Sequence, residues 1–212
     1  MTFLKRLPHL DNAVGIDVGI SNFAVFSDGT FVENQRYLVE CEELLSKSQS
    51  KKDKLPHRSP ERKKAAKKVS HIYERLGNLR DNFAQQLSHR IVNSYGIICM
   101  EDMDIKNLIE DKPWMAKSTL DASWRRFRTY VMYKAANAGR KMVLVNPAYT
   151  SQMCSCCGTI VPKDLSERVH NCPKCGLVMD RDLNASKNIL RLGLQSVPIR
   201  LTARSPRIHS GE

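Results

Sequence analysis

Two cysteine pairs constrain this chain more than any other feature. Cys154 and Cys157 flank two residues, Cys172 and Cys175 do the same, and 14 residues separate the pairs. Two such pairs offer four thiolates on two turns, the donor set of tetrahedral zinc. Gly158 and Gly176 each follow the second cysteine of a pair, where a tight knuckle calls for positive φ. The alternative is four free core thiols. Cys156 is a spare thiol between the paired positions and is expected to point away. His170, two residues before Cys172, is a weaker rival ligand and reads as a polar loop residue. A site closed by four cysteines leaves no open position for water, so one zinc ion here folds a loop too small to bury its own core. Any chemistry must come from elsewhere.

Seven cysteines in all, an odd number, argue against a disulfide framework. No apolar run approaches the ~20 residues of a membrane span, and the N-terminus lacks the apolar stretch of a signal peptide. The expectation is a soluble, cytoplasmic protein with no membrane partner. Lys and Arg number 34 against 22 Asp and Glu, which points to a polyanionic partner, nucleic acid first. The charge is concentrated: residues 51–68 hold nine Lys/Arg and two acids, a net of +7. "SKSQS" just before this run reads as a flexible joint. Residues 195–212, with two prolines and no period, read as a disordered basic tail.

"NAVGIDVGI" alternates, with Val14, Ile16 and Val18 on one face and Gly15, Asp17 and Gly19 on the other. "NFAVFSDGTFVENQRYLV" follows as two strands around Asp28-Gly29. Val69, Ile72, Leu76, Leu79, Phe83, Leu87 and Ile91 form one helical stripe, which Gly77 is expected to bend. "YGIICMED" reads as a strand buried on both faces, with Glu101 at its C-terminal end. A second helix opens at a capping box around Ser118 and Asp121, buries Leu120, Trp124, Phe127, Val131, Ala135 and Ala138, and stops at Gly139. "RKMVLVNP" is a further strand, and "DLNASKNILRLGL" a closing helix. Strands followed by alternating helices and strands imply a mixed α/β sheet covered by helices.

Asp17, Glu101 and Asp182 each fall at or beside the end of a core element, with no apolar reason to be there. Carboxylates converging on strand ends suit two Mg²⁺ or Mn²⁺ ions about 4 Å apart, one activating a water and one stabilising a leaving oxygen. Each acid also has an ordinary reading: Asp17 as a strand-edge acid, Glu101 as part of a turn with Asp102 and Asp104, Asp182 as the N-cap of the last helix. Lys51, Lys52, Arg62, Lys63 and Lys64 are candidate phosphate contacts, with Lys67 and Lys68 beyond them. Arg125, Arg126 and Arg128 are further candidates. A solvated helix face is the alternative for each. Trp124 and Phe127 have core spacing and are not base-stacking groups.

"GIDVGISNFAVFSDG", "CMEDMDIKNL", "NPAYTSQMCSCCG" and "CPKCGLVMDRDLNASKNI", in this order, resemble the C-terminal half of TnpB. TnpB is the OrfB-type insertion-sequence protein related to type V CRISPR effector nucleases. The likeness runs from about Val14 to Leu192. It implies an RNase H-like (RuvC-like) mixed sheet flanked by helices, with an inserted four-cysteine zinc ribbon. Its implied layout is a short remnant at 1–11, a nuclease core at 12–153 with a basic helical insertion at 51–95, the ribbon at 154–175, the rest of the core at 176–194, and the tail. It implies Asp17, Glu101 and Asp182 as catalytic metal ligands, with Asp180 a neighbour, and zinc on Cys154, Cys157, Cys172 and Cys175. It further implies Mg²⁺-dependent cleavage of a DNA target directed by guide RNA in a prokaryotic cell. Family members carry a β-barrel and a helical recognition region ahead of the first nuclease strand, where about a dozen residues stand here. The short start reads as a truncated copy, an internal-start product, or a partner that takes the missing half in trans from a full-length or N-terminal counterpart. A non-cleaving, zinc-ribbon nucleic-acid-binding accessory protein is the alternative. "KNLIEDKPWMAKS", beside the proposed metals, is a candidate lid. "FAQQLSHRI" departs from the His-Lys pair that relatives often carry before "LS".

Overall fold

The structure, a computed structural model, describes residues 12–103, 123–164 and 167–197. The expected 1–11 remnant, the Ser118–Asp121 cap with Leu120, the candidate lid with Asp104, and the expected tail beyond residue 197 lie outside the described residues.

Alternating apolar residues build β1 (Ala13–Val18), which buries Val14 and Ile16 on one side and turns Gly15 and Asp17 to the other. β2 (Asn22–Phe26) and β3 (Phe31–Glu33) form a hairpin on Asp28-Gly29, where Gly29 takes φ 92° and Asp28 accepts from the Thr30 N–H. β4 (Ile97–Glu101) and β5 (Lys141–Val145) run parallel to β1, giving the order β3-β2-β1-β4-β5. The parallel neighbours on both sides of β4 explain its unbroken "IICM" run, all four residues buried.

α2 (Pro60–Ser94) and α3 (Trp124–Asn137) cover one face of the sheet. Val14, Ile16, Ile98 and Met100 pack there against Leu87, Ile91, Phe127 and Val131. Phe23 meets Phe83 and Phe127 edge-on at 4.8 and 5.1 Å between centroids. Burying a side chain such as Phe127 contributes roughly 1.5–3 kcal/mol. α4 (Arg181–Ser196) covers the opposite face with Ile189 against Ile97, Cys99, Val143 and Val145. Its last turns take in the first residues of the expected tail.

The sequence reading is corrected between residues 37 and 53. Tyr37, Leu38 and Val39 are not strand, and "SKSQS" is not a joint: both lie within α1 (Tyr37–Asp53). Arg36, at φ 49°, turns the chain out of the sheet. α1 buries Leu45 and packs along α2 as a helical hairpin. Its apolar face is narrow, so docking on α2 supplies what periodicity does not signal. Ser59 caps α2 by accepting from the Arg62 N–H, and Arg62 Nη1 donates to the Lys52 and Leu55 carbonyls, tying the turn between the helices.

Candidate active site and metal centre

The parallel register places Ile16 opposite Met100, so the next residue of each strand, Asp17 and Glu101, leave the ladder side by side on one face. That face is the one α4 covers. Gly15 and Gly193 let the helix lie directly on the sheet. A Cβ at Gly15 would stand 2.1 Å from the Ser186 carbonyl oxygen and 2.6 Å from the Leu190 N, and one at Gly193 would stand 2.3 Å from Cys99 Sγ. Close docking brings the first turn of α4, with Asp182, over the strand ends.

The three acids feel one another there. Burial pushes the Asp17 carboxyl well above its ordinary value, and the charges of Glu101 and Asp182 push it further; Arg181 opposes them and Asp180 adds to them. Burial raises Glu101 too, against the Thr150 hydroxyl, which favours its ionised form. Like charges crowded at one end of a sheet are an arrangement that bound cations relieve. Among the described residues, the cysteines form the one group of three or more metal-type ligands whose atoms all lie within 4.8 Å of one another.

Asp180 and Asp182 divide the "DRD" triplet. Asp180 is the N-cap of α4, its Oδ1 accepting from the N–H groups of Asp182 and Leu183 at 2.9 Å each. The capping role that the sequence allowed to Asp182 therefore falls to Asp180. The Asp182 carboxylate meets Arg181 Nε at 3.2 Å.

The four cysteines gather as two matching knuckles. The Cys154 N–H donates to the Thr159 carbonyl and the Gly158 N–H to the Cys154 carbonyl; Cys172, Leu177 and Gly176 repeat the pattern. Gly158 and Gly176 take φ 75° and 74°. The sulfurs of Cys154 and Cys175 lie 3.6 Å apart and those of Cys157 and Cys172 3.5 Å. A tetrahedron with Zn–S bonds of about 2.3 Å has edges of roughly 3.8 Å, so the cluster fits zinc with little adjustment. Thr159 holds the Cys157 thiol down to about 6, while, against the Leu177 backbone, burial and the other three sulfurs push the Cys175 thiol up to about 12. Cys156 is exposed and outside the cluster. His170 is not a loop residue. It lies in β6 (Val169–Asn171), paired antiparallel with β7 (Val178–Asp180), and is buried with Nδ1 on Lys163 Nζ.

The candidate phosphate contacts divide. Lys51, Lys63, Lys64, Lys67 and Lys68 are exposed on the helical hairpin, and Arg125 is exposed on α3. The others have internal partners: Arg126 pairs with Asp81 at 2.6 Å, Arg128 with Asp102 at 2.9 Å, and Lys52 with Asp53 at 3.2 Å. Arg62 holds the inter-helix turn.

A family model described as "probable transposase", OrfB of the IS605 type, matches residues 5–111, half of the chain. The chain belongs to this OrfB family. A second model, the Cas12f1-like TNB domain, matches residues 124–189. A Streptomyces pristinaespiralis protein named "putative RNA-guided DNA endonuclease" is 34% identical over 88% of this chain and 46% of its own length. TnpB-like protein L79 of Acanthamoeba polyphaga mimivirus is 30% identical over 87% of this chain and 38% of its own. This OrfB chain thus spans less than half the length of these relatives. A CRISPR-Cas12f ternary complex solved by cryo-EM shares its fold, with a TM-score of 0.65 at 18% identity over 90% of this chain and 40% of that one.

Sequence reasoning missed the polar groups that tie the OrfB ribbon to the acids. Asn184 and Asn188, fully buried on α4, donate to the Met153 carbonyl at 2.7 and 2.6 Å, and Asn184 Oδ1 accepts from the Ser155 N–H. Thr150 donates to Glu101 Oε1. Two asparagines four apart among apolar helix residues were the available signal, since one helix face presents both.

Proposed function

We propose that this chain is the RuvC-like, RNase H-fold nuclease half of a transposon-associated endonuclease that hydrolyses DNA phosphodiesters. Asp17, Glu101 and Asp182 are its catalytic metal ligands for Mg²⁺ or Mn²⁺. The observation that carries this reading is the convergence of three acids, from β1, β4 and the start of α4, on the face where Gly15 and Gly193 seat the helix. When bound, such ions activate water and neutralise charge on the leaving oxygen. Cys154, Cys157, Cys172 and Cys175 hold one structural zinc, and the ribbon of residues 154–175 and its flanks aligns the entry to α4. The exposed lysines of the hairpin carry phosphate backbone. Relatives named RNA-guided DNA endonucleases support guide RNA and a DNA target as partners.

Labelled single- and double-stranded DNA, incubated with Mg²⁺ or Mn²⁺ with and without the RNA that co-purifies with the protein, tests the reading. Cutting by the parent and its loss in Asp17→Ala are expected. Cutting that persists in Asp17→Ala defeats the site. Binding without cutting favours a zinc-ribbon nucleic-acid-binding protein.

A further inference from the structure

The segment joining β5 to the first knuckle carries a side chain with no part in the sheet or the zinc cluster, yet it is almost fully buried. Thr150 is 2% exposed. Its hydroxyl donates to Glu101 Oε1, and the Pro147 carbonyl lies 3.0 Å away on another side. A hydroxyl has one proton, and an ionised carboxylate is the stronger acceptor. The bond takes one oxygen of Glu101 and fixes the plane of the carboxylate, leaving the other oxygen for a ligand.

Thr150 is itself held from behind. Its backbone carbonyl accepts from Asn188 Nδ2 at 2.9 Å. The same nitrogen donates to the Met153 carbonyl, and Asn188 Oδ1 accepts from Arg191 Nη2 at 3.1 Å. Asn184, one turn earlier, clamps Met153 and Ser155, the residues on either side of Cys154. A single face of α4 therefore grips both the partner of Glu101 and the first knuckle, on the helix that begins with Asp182. Buried side-chain amides satisfied this fully hold a fixed geometry.

We propose that Thr150 is a positioning residue for Glu101, and that Asn188 holds it in place, so that α4 sets the orientation of Glu101 as well as carrying Asp182. This rests on the acids being a divalent-cation site, as argued above. Partners of metal-binding carboxylates commonly change metal affinity by about 10–100-fold when removed.

The test is Mn²⁺ binding by calorimetry on the zinc-loaded full chain, with zinc content and melting temperature measured alongside. Thr150→Val, which keeps the shape and removes the donor, is expected to weaken Mn²⁺ binding roughly ten-fold at unchanged zinc content. Thr150→Ser is expected to restore it, which a packing role for the methyl group would not. Asn188→Ala should weaken Mn²⁺ binding less than Thr150→Val. Should the valine variant unfold, Thr150→Ala gives the same reading without a buried methyl beside the carboxylate. Mn²⁺ affinity equal to the parent in folded Thr150→Val or Thr150→Ala overturns the positioning role while leaving the acid site standing. A parent chain whose Mn²⁺ binding is absent, or is unchanged by Asp17→Ala, overturns both.

Discussion

Asp17 is held in a setting that opposes its charge. Its carboxyl sits well above the ordinary range because burial, Glu101 and Asp182 all disfavour ionisation in the folded chain. An acid raised by folding costs stability once it ionises. The cost is absent below the unfolded value near 4, grows as pH rises through that value, and is complete above the folded one. Asp17→Asn should therefore raise the melting temperature by roughly 2–4 °C at pH 7.5 without added Mg²⁺. The gain should shrink toward zero near pH 4 and narrow at pH 7.5 when Mg²⁺ stabilises the parent. A thermal melt series over pH and Mg²⁺ checks this, and a gain that is flat with pH contradicts it. The acids were legible in the sequence because each interrupts an apolar element end. Thr150 was not, because a threonine in a polar loop looks the same whether it faces water or a carboxylate. Asp180 and Asp182 were separable by family likeness, but the hydrogen bonds that make Asp180 the cap depend on where the helix starts.

Elements read well where their own periodicity stabilises them and badly where a neighbour does. β1, β4, β5 and α3 follow their apolar patterns, whereas α4 buries Asn184, Ser186 and Asn188 beside Ala185 and Ile189 and leaves Leu194 exposed. α1 buries Leu45 alone and is stable through α2, so its sequence read as strand and joint. Glycines sort along the same line. At Gly15 an added Cβ meets backbone of α4 well inside contact distance, and nothing flexible can give way. Gly15→Ala should lift α4 from the sheet and cost about 3 kcal/mol or more. At Gly77, inside α2, nothing lies within 4 Å, and the helix runs from Pro60 to Ser94 as one element. Gly77→Ala should stabilise by about 0.5–1 kcal/mol. Urea denaturation of the two variants side by side is decisive: similar midpoints would mean that α4 does not depend on close approach at Gly15.

At the scale of the molecule, a four-cysteine module and a charged arm are joined through one sheet. The ribbon is bound to α4 by Asn184 and Asn188 rather than by an apolar core, so losing zinc should loosen the approach to Asp182 without unfolding the sheet. Cys175→Ser should leave well under one zinc per chain by metal analysis. Hydrogen exchange should then quicken at residues 150–183, while β1 and β4 stay protected. Rapid exchange throughout would instead make zinc a condition of the whole fold. Lys63, Lys64, Lys67 and Lys68 are exposed near the start of α2, whereas Arg62, Arg126 and Arg128 of the same basic count hold the protein to itself. Each phosphate neutralised contributes about 0.7–0.9 to the slope of log affinity against log salt. Changing the four lysines to alanine should thus flatten that slope by about 3 for DNA or RNA, with little change in melting temperature. Arg126→Ala should do the reverse, lowering stability by breaking its pair with Asp81 and leaving the slope almost unchanged. Fluorescence anisotropy across a salt series separates the two. A four-lysine variant with the parent's slope would remove the hairpin from the nucleic-acid path and leave the net charge of the chain without a located partner surface.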